Sequence, residues 1–181
     1  SYTVSEAPGQ PFNAKVSRPF QADVRSRVAM APGIVAVATD DTIRLGATSA
    51  GSFDVVLNGP VLQADGTVSR LHVTRAMVVA LVRTDAGQEL IRYDAPTWAP
   101  TVIWRGTSQP PLSAAGDRTV VFTNARGVVT QSVPGRTREL LRLKGKLVAL
   151  ATDGRLVAIA ERRTLTIRKR PARKTAIVVA T

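Results

Sequence analysis

The stretch Met77-Val-Val-Ala-Leu-Val82, continuing through Asp85-Ala-Gly87 to Glu89-Leu-Ile-Arg-Tyr93, decides the fold. Its first segment is a run of β-branched and aliphatic residues, which is typical of a buried strand. The Asp-Ala-Gly connection is a short glycine-containing turn of the kind that joins two antiparallel strands. The stretch therefore predicts a β-hairpin near the middle of the chain.

The same hairpin pattern occurs four times along the chain, with strand cores that start 43, 42 and 37 residues apart. Each core is followed by a second short strand, and a further apolar segment lies before and after this pair. Each unit is therefore expected to hold four strands. The cores are Ile34 to Thr39, Met77 to Val82, Thr119 to Thr123 and Leu156 to Ala160.

Four-stranded units at a period of about 40 residues are typical of β-propeller blades. The four cores resemble divergent WD-repeat-like and Tol-Pal-type blades over roughly residues 22–180. The Gly-His and Trp-Asp signatures of WD repeats are absent from the sequence, so the resemblance implies a fold and transfers no functional residue. The predicted fold is all-β, with four blade-like four-stranded antiparallel repeats that form a β-propeller or part of one. The alternative is a β-sandwich or barrel.

The predicted repeats lie at about 22–59, 60–106, 107–144 and 145–181, after an N-terminal arm at 1–21. The strongest rival to an all-β interpretation is the window Arg136 to Lys146, whose leucines are compatible with a helical stripe. It falls where the repeat requires an outer strand, and a strand is favoured there. Glycines near the hairpin turns are expected to adopt positive φ, because such turns require it. These are Gly33, Gly87, Gly127 and Gly154.

Composition indicates a folded domain, since 44% of the 181 residues are hydrophobic and 21% are charged. The chain has no cysteine, which excludes disulfides and thiolate metal sites and leaves the compartment undecided. The protein is expected to be soluble, in the cytoplasm or secreted after removal of a signal segment. No apolar run reaches the length of about 20 residues that a membrane helix needs.

The sequence favours a protein that is not an enzyme, although it leaves the question open. His72 is the single histidine, and it lies in an alternating strand pattern in which Leu71 and Val73 share the other face. A structural role is expected for it, because a catalytic triad or a zinc site needs further partners that the sequence does not supply. Most aspartates lie at turns, and no phosphate-binding glycine loop occurs. We therefore predict no catalytic residue, no cofactor and no metal.

Positive charge is concentrated at the C-terminal end. The net charge is +12, and residues 136–181 carry 13 basic and three acidic residues, which is +10. Lysines and arginines that converge on one face can neutralise the phosphates of a bound polyanion. The alternative is that the charges protect an edge strand from pairing with another sheet. The candidate polyanion-binding residues are Arg162, Arg163, Arg168, Lys169, Arg170, Arg173 and Lys174. They are expected to lie at successive turns of the last unit.

Aromatic residues are concentrated between Tyr93 and Trp104. Trp98 lies in a loop bounded by prolines, and an exposed tryptophan is a common contact residue in interfaces. Trp98 and Tyr93 are therefore the candidate partner contacts, against the alternative that they fill gaps in the packing. Trp104, in an apolar run, is expected in the core.

The leading functional hypothesis is a non-catalytic propeller-like scaffold that binds a protein partner or a second copy of itself, as a homo-oligomer, through loops and sheet edges. One alternative is a protein that binds nucleic acid or another polyanion through its basic C-terminal repeat. The other alternative is a non-catalytic part of a larger propeller enzyme.

Overall fold

The computed structural model describes residues 2–5, 13–16, 26–48, 55–107, 110–124, 126–167 and 170–180. These residues form β-strands, turns and irregular connections, and no helix occurs among them. The all-β prediction is therefore confirmed. The window Arg136 to Lys146 contributes a strand, as the repeat pattern predicted. The chain divides into two compact units, Ser1–Val102 and Ile103–Thr181.

Unit one contains a short hairpin followed by two larger sheets. The hairpin pairs β1 (Tyr2–Ser5) with β2 (Asn13–Val16) and lies within the predicted arm. The first sheet contains β3 (Arg27–Ala31), β4 (Ile34–Thr39), β5 (Thr42–Thr48), β6 (Val55–Val56) and β7 (Val61–Gln63). The second sheet has the order β11-β10-β9-β8, with β8 (Thr67–Thr74), β9 (Met77–Thr84), β10 (Gly87–Asp94) and β11 (Ala99–Gly106), the last of which runs past the end of the unit.

Unit two contains the third and fourth sheets. The third sheet has the order β12-β13-β14-β15, with β12 (Ser113–Gly116), β13 (Thr119–Thr123), β14 (Val128–Val133) and β15 (Arg136–Arg142). The fourth has the order β16-β17-β18, with β16 (Lys146–Thr152), β17 (Val157–Ile167) and β18 (Arg170–Ala180). All pairings described in the four sheets are antiparallel.

The first sheet departs from the expected four strands because its outer position is divided between β6 and β7, which both pair with β5. Pro60 interrupts this position, since proline has no N–H to donate to a ladder. Backbone bonds span the interruption: the Leu45 amide donates to the Pro60 carbonyl at 3.1 Å, and the Gly59 amide donates to the Leu45 carbonyl at 3.0 Å. The second and third sheets have four strands, as predicted.

The fourth sheet has three strands in the described part of the chain. Separate strands were expected on either side of a turn at Arg162 and Arg163, but β17 continues through both residues to Ile167. No glycine or proline lies between residues 155 and 170 to end the strand. The arginine pair alone does not break a strand, because an extended backbone accommodates arginine without strain.

A hydrophobic core joins the two large sheets of unit one. Alternate residues of β9, namely Val78, Ala80 and Val82, are fully buried in it. They pack with residues from β4, β5, β8 and β10, and with Leu62 and Ala64, in one cluster. In unit two a smaller cluster joins the third and fourth sheets: Val121, Val129, Val157 and Ile159.

Candidate binding site

A cleft of about 330 Å³ lies in unit one, where the first and second sheets present hairpin turns at the same end. Its walls come from the β3–β4 turn, the end of β5, the link between β6 and β7, the β8–β9 turn and the β10–β11 turn. The lining residues are Pro32, Gly33, Ile34, Leu45, Gly46, Ala47, Asn58, Gly59, Pro60, Arg75 and Trp98. These described lining residues include no carboxylate and no imidazole, so they supply no side-chain pair for general acid and base catalysis.

Two glycines, Gly46 and Gly59, allow one wall of the cleft to form. A Cβ atom at Gly46 would collide with the carbonyl oxygen of Val56, and one at Gly59 would lie 3.0 Å from the carbonyl oxygen of Leu45. The backbone of β5 therefore approaches β6 at Gly46 more closely than a side chain there would permit, and it lies in tight contact with Gly59 of the β6–β7 link. This close approach fixes the wall formed by Leu45, Gly46 and Gly59.

Trp98 occupies the β10–β11 turn in a left-handed conformation, with φ of +56°. Its amide donates a hydrogen bond of 2.8 Å to the Asp94 carbonyl, which closes the turn. The indole is half-buried and packs against the core of unit one while also lining the cleft. A positive φ is uncommon for a bulky residue, and such strained residues are concentrated at functional sites.

Arg75 is the charged member of the lining and lies in the β8–β9 turn, exposed to solvent. Its Nε atom donates a hydrogen bond of 3.0 Å to the carbonyl oxygen of Pro32, in the β3–β4 turn of the first sheet. The guanidinium therefore bridges the two sheets at the rim of the cleft. The sequence analysis did not identify Arg75. The available signal was its position 43 residues after Pro32, because this is the spacing of the first two repeats and places the two residues in corresponding turns.

The two aromatic candidates for partner contact, Trp98 and Tyr93, lie in different environments. Trp98 lines the cleft, whereas Tyr93 is 1% exposed and belongs to the core. The Tyr93 hydroxyl donates to the Gln63 carbonyl at 2.9 Å. Burial, with a smaller contribution from the charge of Asp65, raises the pKa of Tyr93 to about 12. Trp104, expected in the core, is only partly buried, on β11.

The basic candidates lie in and around the β17–β18 hairpin. The register places Arg162 opposite Thr175, Arg163 opposite Lys174, Thr164 opposite Arg173 and Ile167 opposite Arg170. Directly opposed positions share a face of a sheet and successive positions alternate between faces. Positions 163, 170 and 174 therefore lie on one face, and positions 162 and 173 lie on the other. Arg168 and Lys169 lie outside the described residues.

His72 lies on β8, as expected, while Leu71 and Val73 on either side of it belong to the core of unit one. Burial, followed by the positive charge of Arg70, lowers the pKa of His72. Both effects favour the neutral imidazole. Within the described residues no group of three or more His, Cys, Asp or Glu side chains could hold a metal, and no helix there is long and apolar enough to cross a membrane.

Arg92 is a buried charge that sequence reasoning missed. It is 1% exposed. It makes a bidentate ion pair with Asp94, with Nε–Oδ2 and Nη2–Oδ1 distances of 2.6 and 2.7 Å. The two residues lie two positions apart on β10, so they share a face. The spacing of opposite charges at the apolar end of the strand was the available signal.

The chain matches no protein-family model and no curated protein. Among solved structures it is similar to human WBSCR16, with 15% identity, a TM-score of 0.53 and coverage of 83% of this chain and 48% of that chain. It is similar to TolB from Acinetobacter baumannii, with 16% identity, a TM-score of 0.51 and coverage of 84% and 41%. It is also similar to the tricorn protease, with 11% identity, a TM-score of 0.51 and coverage of 93% and 18%.

These similarities concern the fold alone. They support the propeller-like architecture that the resemblance to Tol-Pal-type blades implied, because TolB is a propeller-like protein. The chain spans less than half the length of each of the three proteins.

Proposed function

We propose that the protein is a non-catalytic, propeller-like scaffold that binds a protein partner at the cleft between the turns of its first and second sheets. The observation that carries this proposal is that the strained Trp98 turn and the bridging Arg75 line the same cleft. Tryptophan and arginine are the residue types most enriched among the residues that dominate binding energy in interfaces. The described lining residues supply a recognition surface and no acid–base pair, which favours binding over catalysis.

Affinity capture with purified variants tests the proposal. The wild type is compared with Trp98→Ala and Arg75→Gln, and Trp104→Phe serves as the matched control because it alters the other tryptophan outside the cleft. A partner retained by the wild type and the control is expected to be lost from both cleft variants. Retention that is equal in all four proteins would contradict the proposal.

A second copy of the chain is one partner that the proposal includes. In the described part of the chain, β18 pairs with β17 alone, and the second half of β18, Thr175 to Ala180, contains neither charge nor proline. Strand edges without such protection are prone to pair with another chain. Size-exclusion chromatography with light scattering distinguishes a dimer from a strict monomer, and a monomer at all concentrations would remove this partner.

The second candidate function is the binding of nucleic acid or another polyanion by the C-terminal repeat. The register that sets Arg163 opposite Lys174 supports it, because paired basic positions concentrate charge on one strand pair. Retention on heparin should fall steeply with salt, as expected where lysines and arginines displace counterions. The double variant Arg168→Glu with Arg170→Glu should elute earlier than the wild type, and unchanged retention would assign the cluster to edge protection.

The third candidate is that these residues form a non-catalytic part of a larger propeller enzyme. The coverage of less than half of each of the three similar structures named above supports it. Sequencing the transcript on both sides of the coding region is the direct test. A reading frame with further blade-like repeats would favour this candidate, and a frame without them would contradict it.

A further inference from the structure

The cleft combines one positive charge with apolar walls. Arg75 is the charged lining residue, while Ile34, Leu45 and Trp98 provide the apolar surface. Among the described residues that line the cleft none is acidic, so none of them neutralises the positive charge of Arg75. A complementary ligand therefore carries one anionic group beside one apolar group.

The guanidinium of Arg75 is held at the rim of the cleft by one of its nitrogen atoms. Its Nε atom is bound to the Pro32 carbonyl, and this bond holds the group at the rim. The two Nη atoms make no hydrogen bond within the described part of the chain, so their N–H groups remain available to a ligand. Two parallel N–H groups of a guanidinium match the two oxygens of a carboxylate.

The size and the rim of the cleft restrict the ligand further. A volume of about 330 Å³ lies at the small end of the range of ligand pockets, so it admits one aromatic or branched side chain with its carboxylate. The rim residues Pro32, Gly33, Asn58 and Pro60 are exposed, so the chain of a bound ligand can leave the cleft past them.

We propose that the cleft binds the C-terminal end of a partner polypeptide that ends in an apolar residue, with the terminal carboxylate on Arg75 and the last side chain against Trp98. In a C-terminal residue the carboxylate and the side chain share one Cα atom, so both fit a cleft of this size. An internal aspartate or glutamate would require the chain to continue in two directions. The inference rests on the proposed function, since it takes the cleft as the contact surface.

Fluorescence titration provides the test. The chain has two tryptophans, so Trp104→Phe leaves Trp98 as the single reporter in an otherwise intact protein. The probes are N-acetyl-Ala-Ala-Phe with a free carboxylate and the same peptide as its C-terminal amide. The acid is expected to give a saturable change in Trp98 fluorescence, and the amide is expected to bind about tenfold more weakly because it lacks the charge-assisted pair.

Variants at two equivalent turns assign the effect to Arg75. In the Trp104→Phe background, Arg75→Gln should abolish the preference for the acid, and Arg75→Lys should retain part of it because the charge is kept. Arg118→Gln alters an exposed arginine in the first hairpin turn of the third sheet, away from the cleft lining, and should leave the preference unchanged. Circular dichroism verifies that each variant is folded.

Three results would overturn the inference: no saturable signal with the acid, equal affinity for acid and amide, or a preference that survives Arg75→Gln. If the tripeptide fails but affinity capture still depends on Trp98 and Arg75, the carboxylate assignment is wrong and the proposed function stands. If capture is independent of both residues, the proposed function fails as well.

Discussion

Two pairs of neighbouring sheets meet at their first hairpin turns, one pair in each compact unit, and the two junctions differ in construction. In unit one a side chain spans the junction, since Arg75 of the second sheet reaches the Pro32 carbonyl of the first sheet at 3.0 Å. In unit two the backbones themselves meet. A Cβ atom at Gly116 would lie 2.5 Å from the Thr152 carbonyl oxygen, and one at Gly154 would lie 2.9 Å from the Gly116 carbonyl oxygen.

The difference explains where space is available. Glycine on both sides allows the β12–β13 and β16–β17 turns of unit two to close on each other, and Thr119 locks them through a hydrogen bond of 3.1 Å from its Oγ1 atom to the Gly154 carbonyl. In unit one, a Cβ atom at Gly33 would meet nothing within 4 Å. The long arginine side chain spaces these turns apart, and the cleft lies beside it.

The largest effect is expected where the closed junction is forced open. Gly154 combines a φ of +101° with a space in which a Cβ atom would lie 2.8 Å from the Asp117 Cβ atom. Gly154→Val should therefore lower the free energy of unfolding by about 3 kcal/mol, from the left-handed penalty and overpacking together. Gly154→Asn reduces only the left-handed penalty, because asparagine tolerates that conformation, and the overpacking should still lower the free energy of unfolding.

Gly135 is the matched control in the same unit, because its φ is +71° and a Cβ atom there would meet nothing within 4 Å. Gly135→Val should cost only about 1 to 2 kcal/mol, the conformational part alone. Urea unfolding of the three variants measures the difference. Equal losses at Gly154 and Gly135 would mean that the turns of unit two do not touch.

Smaller and unequal losses of stability are expected when the hydrogen bonds of Thr119 and Arg75, which bridge the two junctions, are removed. Thr119 is buried, so Thr119→Val leaves the Gly154 carbonyl with a lost partner and should cost about 1 to 2 kcal/mol. Arg75 is exposed, so Arg75→Met should cost less than about 0.5 kcal/mol while removing the charge from the cleft. Thermal melts of both variants make the comparison, and a larger loss for Arg75→Met would assign Arg75 a structural role in place of a binding one.

The hairpins could be predicted from the sequence because both of their signals are local. Runs of β-branched residues mark the strands, and each turn needs a residue with positive φ. The expectation for the four turn glycines is confirmed: φ is +82° at Gly33, +141° at Gly87, +71° at Gly127 and +101° at Gly154. Tyr93 could have been assigned to the core as well, since it shares a face of β10 with the buried Ile91.

The cleft could not be deduced in the same way, because it depends on how two sheets pack. Trp98 was identified from its proline-bounded turn, but its partner Arg75 belongs to a different turn, and the two meet only once the sheets are in place. The length of β17 was missed for another reason. Arginines are common in turns and edge strands alike, so Arg162 and Arg163 do not show by themselves where a strand ends.

The smallest expected effect is the response to low pH, because the carboxylate of Asp153 holds the β16–β17 turn at the junction in unit two. Asp153 accepts hydrogen bonds from the amides of Leu156 and Arg155, at 2.7 and 2.8 Å, and these bonds lower the pKa of Asp153 from its ordinary value of 3.8. A lowered pKa in the folded state contributes stability that is present above the ordinary value and is lost as the pH falls through the folded one.

Asp153→Asn keeps an oxygen acceptor but cannot titrate, so it isolates this contribution. The wild type and the variant are compared by their melting temperatures at neutral pH and at about pH 3, which lies below the ordinary aspartate value. The wild type should lose slightly more stability than Asp153→Asn over that interval, because protonation removes the charge that strengthens the two amide bonds. The remaining carboxylates are common to both proteins, so the comparison isolates the effect of the substitution. If the variant loses as much as the wild type, the charge of Asp153 does not stabilise the turn, and the closed junction depends on its glycines and Thr119 alone.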